Sequence, residues 1–382
     1  MLNNVPLYNS VMLPEMEQAA VEVLRSGRIA GGEWVAKFES ELEKIAGLPH
    51  VVSTIDMTTA LYLALYLAGV KDGDEVLTTA FACLSTNSAI AQSKAVPVWV
   101  DVSPRSVTMD VADLESKITP KTRAVILYHV AGYPGPAREI AEICKKHNLV
   151  LIEDCDNALS AMHASLPVGA YGDFAIYSFY PNRQINTTEG GALACRSIDM
   201  AKRARKLRRF GIDFGTFRSA IGEINSSSDV PEIGWSMTLN NMCAALGYAQ
   251  MTSLQSRQAA TQSNAKALLE LTRDMDGLTP VPVLEGDQSA YWVLLFFVEN
   301  RDEVICRLKQ SGVMVSSIHQ RNDIYSGFDA APQYLPNTDF LQHHIIGVPC
   351  GWWLDEDDLL TVTASLKGAL RGPADTMTDC AK

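Results

Sequence analysis

The 382-residue chain predicts an α/β fold, with a large unit on a central, mostly parallel sheet and a smaller C-terminal α+β unit. Three observations lead there. Between Glu75 and Asp154, apolar runs that read as strands (Glu75–Thr78, Pro97–Val102, Ala124–His129, Leu149–Asp154) alternate with helical stretches (Leu84–Gln92, Ala112–Ile118, Ala137–His147). Such alternation implies parallel pairing, with ligands bound outside the strands' carboxyl ends. The last third instead mixes strands (Ala290–Val298, Val313–Ser317) with helices (Asp302–Gln310, Asp355–Leu370) in α+β order. The length and a 47% hydrophobic content allow two or three cores, and the expected division is 1–250 and 251–382.

Taken in order, Pro14–Ser26 reads as a helix, with proline at its start, an apolar face of Met16, Ala19, Ala20, Val23 and Leu24, and Gly27 as its stop. The glycines of 27–32 read as a connecting loop. Trp34–Ala46 is a second helix, with Val35, Phe38, Leu42 and Ile45 at core spacing. Val51–Ile55 is a strand, and Thr58–Ala68 a helix apolar nearly all round and so buried. The unpaired amides at Met57, Thr58 and Thr59 form a ready anion site; the simpler reading makes Thr58 an N-cap. Asp154 stands at a strand's carboxyl end, where an acid either caps a turn or faces a ligand. Met200–Phe210 is a basic helix (Lys202, Arg203, Arg205, Lys206, Arg208, Arg209) that reads as a solvated face. Residues 212–234 form a long polar loop of the kind that covers a site or crosses an interface. Leu239–Leu254 is a helix leading into the second unit.

Composition narrows the function. A net charge of -12 argues against wrapping a nucleic-acid backbone. The eight cysteines contain no Cys-x-x-Cys pair, so neither a zinc ribbon nor an iron–sulfur set is expected, and reduced thiols are the default. His319, His343 and His344 lack a third ligand at metal spacing and read as surface or core histidines. The polar first ten residues and the lack of an apolar run of membrane-spanning length predict a cytoplasmic protein with no membrane partner.

The stretch with most chemical content is Tyr177-Ser178-Phe179-Tyr180-Pro181-Asn182-Arg183-Gln184-Ile185-Asn186-Thr187-Thr188-Glu189-Gly190-Gly191, a strand end, a loop and a tight turn. It resembles the cofactor-lysine segment of the DegT/DnrJ/EryC1/StrS sugar aminotransferases, Ser-Phe-His-x-x-Lys-x-Ile-x-x-Gly-Glu-Gly-Gly, with Arg183 at the lysine. Further segments resemble that family in the same order over about residues 5 to 370: Val5-Pro6-Leu7, Ser26-Gly27 with Gly32, Thr58-Thr59-Ala60-Leu61, Glu153-Asp154 against Glu-Asp-Ala-Ala-Gln, Gly172-Asp173, and Ala244-Ala245-Leu246-Gly247. The resemblance implies a fold type I aminotransferase architecture and a homodimer with sites at the subunit interface. It also implies pyridoxal phosphate bound through Thr58, Thr59, Asp154 and Ser178, with Asp154 at the pyridine nitrogen. The implied reaction moves an amino group from glutamate to a keto-sugar, usually nucleotide-linked.

The departures cluster at the cofactor. Arg183 replaces the lysine, Cys83 the aromatic that stacks on the ring, and Met57 a glycine of the phosphate turn. Ser236 replaces an asparagine given by the neighbouring subunit, and Asn157 a Gln or His beneath the ring. A guanidinium keeps its proton, so Arg183 is a poor nucleophile and a poor base, though suited to clamping a carboxylate or phosphate bidentately. Two readings stay open. In one, pyridoxal or pyridoxamine phosphate is held without a covalent bond and serves a keto-sugar reaction, as in related sugar dehydratases with histidine at this position, or as in an arginine introduced to trap an intermediate. In the other, the fold survives as a ligand-binding or regulatory protein, or catalyses a reaction without vitamin B6.

Overall fold

The computed structural model describes residues 4–328 and 333–371. Its larger sheet contains seven strands: β1 (His50–Thr54), β2 (Glu75–Thr79), β3 (Val96–Val100), β4 (Thr122–Tyr128), β5 (Val150–Asp154), β6 (Phe174–Ser178) and β7 (Gly191–Cys195), in the order β1-β7-β6-β5-β4-β2-β3. Strands β3, β2, β4, β5 and β6 pair in parallel, as the alternation predicts, while β7 runs antiparallel to both β6 and β1. The loop 179–190 carries the chain back beside β6, where β7 pairs from Gly191 opposite Ser178 to Cys195 opposite Phe174.

Side chains alternate between the two faces. On one, Ala124, Ile126, Ile152 and Ile176 pack under the buried helix Met57–Leu67. On the other, Val125, Leu127 and Leu151 meet Ile140 and Cys144 of the helix Ala137–His147. The result is a three-layered sandwich whose central strands are covered on both sides. A second sheet of β8 (Leu278–Pro280), β9 (Leu294–Val298) and β10 (Ile345–Val348) is antiparallel and packs on the helices Arg301–Gln310 and Glu356–Arg371.

Several expectations change. Leu239–Leu254 is two helices, Asn241–Ala249 and Met251–Leu271, meeting at Gln250, whose side chain is turned to the loop at Asn186. The basic helix spans Ile198–Leu207. Its cations are engaged rather than merely solvated: Arg208 is nearly buried on Glu39 and Ser53, and Arg203 forks onto Glu232. Val313–Ser317 makes isolated bridges, to Val5 at Val313 and to Gly347 at Ser316, instead of a strand. Among the described residues, no helix is long and apolar enough to cross a membrane.

Candidate functional site

The carboxyl ends of β4, β5 and β6 lie side by side in the middle of the sheet, and the candidate site is assembled there. Asp154 ends β5 and is fully buried. The Thr86 hydroxyl donates to its Oδ2 at 2.7 Å and the Asp156 amide to its Oδ1 at 3.0 Å. Among the described residues Asp154 has no ion-pair partner. Burial, and then the neighbouring Asp156 carboxylate, push its pKa up to about 7, against the pull of the two hydrogen bonds and of Arg183.

The adjacent Glu153 is equally buried but otherwise provided for. It accepts from the amides of Gly169, Tyr171 and Gly172 at 2.8, 2.7 and 2.6 Å, and lies 3.0 Å from Nε2 of His129. The Gly135 amide donates to Nδ1 of His129, so Nε2 carries the proton that is donated to Glu153. Burial works to raise the Glu153 pKa, but these donors outweigh it and hold the carboxylate below its ordinary value. One strand end thus carries two acids, a satisfied structural one and an under-satisfied one.

The register of three strands brings the anion turn to Ser178. Gly191 of β7 is opposite both Thr54 of β1 and Ser178 of β6. A Cβ on Gly191 would sit 2.5 Å from the carbonyl of Asp56, so only glycine lets this turn approach. The N-cap of the Met57–Leu67 helix is Asp56, not Thr58: its carboxylate accepts from the Thr59 amide at 2.7 Å, and the Thr59 hydroxyl donates to the Asp56 carbonyl. Thr58 is half-buried in the first turn. Ser236 is exposed on a segment that bridges to Arg209, outside the buried cluster.

Arg183 is turned inward by a pinned loop. Gln250 bonds both backbone groups of Asn186, Gln184 donates to the Asn157 carbonyl, and Arg257 donates to the Gln184 carbonyl. Nε and Nη2 of Arg183 fork onto the two oxygens of Asp156, each at 2.8 Å, and Nη1 donates to Asn182. The guanidinium lies over the Trp292 ring at 4.9 Å, and Tyr8 stacks on that ring at 4.5 Å. Burial opposes the charge, but Asp156 outweighs it and raises the Arg183 pKa further. The bidentate clamp expected of this arginine is therefore spent on the chain's own carboxylate.

Beside it, Asn157 donates to the Tyr128 hydroxyl at 3.0 Å, and that hydroxyl is hydrogen-bonded to Nε2 of His319 at 3.0 Å. Oδ1 of Asn157 is buried without a partner. Burial depresses the His319 pKa to about 4, so the ring is neutral. Cys83 accepts from Ser85, and burial raises its pKa. Among the described residues no cluster suits a metal ion.

Of the residues singled out in the sequence, the structure brings Asp154, Asn157 and Arg183 together, sets Ser178 opposite Gly191 and leaves Ser236 outside; the sequence does not single out Asp156, Tyr128, Thr86 and Trp292, and His319 reads there only as a surface or core histidine. Only Asp156 had a local signal, as a second acid in Glu153-Asp154-Cys155-Asp156.

The geometry has close parallels. A sugar aminotransferase from Micromonospora echinospora superposes with a TM-score of 0.90 at 30% identity, covering 95% of this chain and 99% of that one. A dTDP-4-dehydro-2,3,6-trideoxy-D-glucose 4-aminotransferase from Saccharopolyspora spinosa is 31% identical over 325 residues, 82% of this chain and 83% of its own. A pleiotropic regulatory protein from Geobacillus stearothermophilus is 29% identical over 81% of this chain and 82% of its own. The family model matches residues 12–367, which takes in both sheets and the buried cluster from Thr86 to His319, and the chain belongs to the DegT/DnrJ/EryC1/StrS aminotransferase family.

Proposed function

We propose that this chain holds a vitamin B6 phosphate, pyridoxal or pyridoxamine, without a covalent bond and uses it on a keto-sugar, nucleotide-linked like the substrate in the Saccharopolyspora relative's name. The carrying observation is Asp154. A carboxyl group that is wholly buried, has no cation and titrates near 7 would become a stable carboxylate beside a cationic ring N–H. The orphaned Oδ1 of Asn157 calls for a donor, and the first-turn amides of Met57 and Thr58 with Ser178 would supply a phosphate cradle. The residues fit the group at its ring and its phosphate, but not as a covalent anchor, because Arg183 is a committed cation.

When bound, the cofactor would supply an amine in its pyridoxamine form or an aldehyde in its pyridoxal form, and an electron-withdrawing ring. The chain's residues do the rest. Asp154 would hold a proton at the ring nitrogen, and Thr86 orients Asp154. The Tyr128 hydroxyl, itself bonded to His319, accepts from the amide nitrogen of Asn157 and leaves the amide oxygen toward a donor. Trp292 and Tyr8 shield Arg183 on one face. Exposed Phe214, Ile221, Ile224 and Ile233 on the 212–234 loop support a homodimer in which Ser236 serves the neighbouring site.

A second reading, a ligand-binding or regulatory protein without B6, is favoured by one observation. The Asp56 carboxylate occupies the Thr59 amide within the turn that a phosphate would use. Calorimetry separates the two. Pyridoxamine phosphate is expected to bind, and borohydride after pyridoxal phosphate is expected to leave no lysine adduct. Binding of neither compound removes the B6 reading, and a stable adduct means that another lysine has taken over.

A further inference from the structure

We propose that Asp156 and Arg183 are a single charge-balanced unit, in which Asp156 acts as the positioning residue that fixes a cation at position 183 and bars that position from amine chemistry whichever basic residue stands there. The fork between them is short and symmetrical, with both side chains nearly buried, 2% exposed for Asp156 and 10% for Arg183. A buried guanidinium without a counter-ion costs several kcal/mol, so the arginine needs this acid.

The pair also preserves what Asp154 offers. Two carboxylates and one guanidinium leave one net negative charge in the cluster. Without Arg183, Asp156 would add a second negative charge beside Asp154.

A sharp consequence follows for restoring a lysine. In Arg183→Lys, Asp156 remains within ion-pair reach of the new ammonium. An opposite charge at that range favours the charged form by roughly one to three pKa units, and a protonated amine is no nucleophile. The amine is freed only when Asp156 is removed as well.

The test is reductive methylation with formaldehyde and cyanoborohydride, read at position 183 by peptide mass spectrometry across pH 6.5 to 10.5. The proteins are Arg183→Lys, Arg183→Lys/Asp156→Ala and the near-isosteric Arg183→Lys/Asp156→Asn, each checked for folding by circular dichroism. At pH 7.5 the introduced amine is expected to react about 10-fold or more slowly in the single variant than in either double variant, the gap closing as the pH reaches that of a free ammonium. Equal rates in single and double variants, whether fast or undetectable, overturn the proposal, and the asparagine variant decides if the alanine variant does not fold. The inference deepens the B6 reading and rests on it only for the role of Asp154, so a parallel arm uses pyridoxal phosphate with borohydride. Double variants that take formaldehyde at the introduced lysine but never a phosphopyridoxyl group sink the B6 reading and leave the charge-balanced unit standing.

Discussion

Asp154 and His319 titrate in opposite directions, and replacing one should expose the other. The Asp154 pKa is raised from 3.8 to about 7, so between those values the folded protein keeps a proton that the unfolded chain has lost, and stability falls as pH rises. The His319 pKa is depressed from 6.5 to about 4, so between those values the unfolded chain carries the extra proton, and stability rises with pH. Each full proton of difference is worth about 1.4 kcal/mol per pH unit. Over the two units from pH 4.5 to 6.5, partial titration leaves each group contributing about 2 kcal/mol, with opposite signs. In the protein without added cofactor the two slopes nearly cancel. Asp154→Asn retains an acceptor for Thr86 and removes one slope, so it should gain about 2 kcal/mol of stability over this range relative to the parent. His319→Gln should lose about as much. The assay is urea unfolding at pH 4.5, 5.5 and 6.5, compared by midpoint and extrapolated free energy. Profiles of Asp154→Asn and the parent that run parallel would refute the claim that Asp154 is buried without a counter-charge.

Two other outcomes follow from the structure. Glu153→Ala strips the acceptor from three backbone amides and His129 at the centre of the sheet, and should cost roughly 3–5 kcal/mol in urea unfolding. A loss under about 1 kcal/mol would show that water replaces the carboxylate. Phe214→Glu combined with Ile233→Glu, on the exposed 212–234 loop, should shift light scattering from dimer toward monomer with little change in unfolding of the single chain; an unchanged mass would remove this loop from the interface.

Much of the architecture was legible because it is local. Strand-helix alternation over 75–154, the proline and Gly27 bounding Pro14–Ser26, and the all-apolar Met57–Leu67 each signal their own burial within a window of a few turns. Asp154 could be placed at a strand end, and Arg183 on a loop after a strand, for the same reason. Where reading failed, the deciding partner was usually distant. Leu239–Leu254 shows one continuous helical pattern, yet the chain breaks at Gln250 because that side chain bonds to Asn186, sixty-four residues earlier. Thr58 reads as a cap, but Asp56, two residues earlier, takes that role through its bond to the Thr59 amide.

By itself, then, the order of residues determined which segments bury, where β5 ends, and that a permanent cation replaces an amine at 183. Only the folded chain decided what that cation does. Sheet register sets Ser178 beside Gly191 and Gly191 beneath Asp56, the return of the loop brings Arg183 onto Asp156 across 27 residues, and His319 reaches Tyr128 across 191. Side-chain chemistry is carried by each residue alone, whereas a charge's partner and its distance from water belong to the packing around it, and these set its proton affinity.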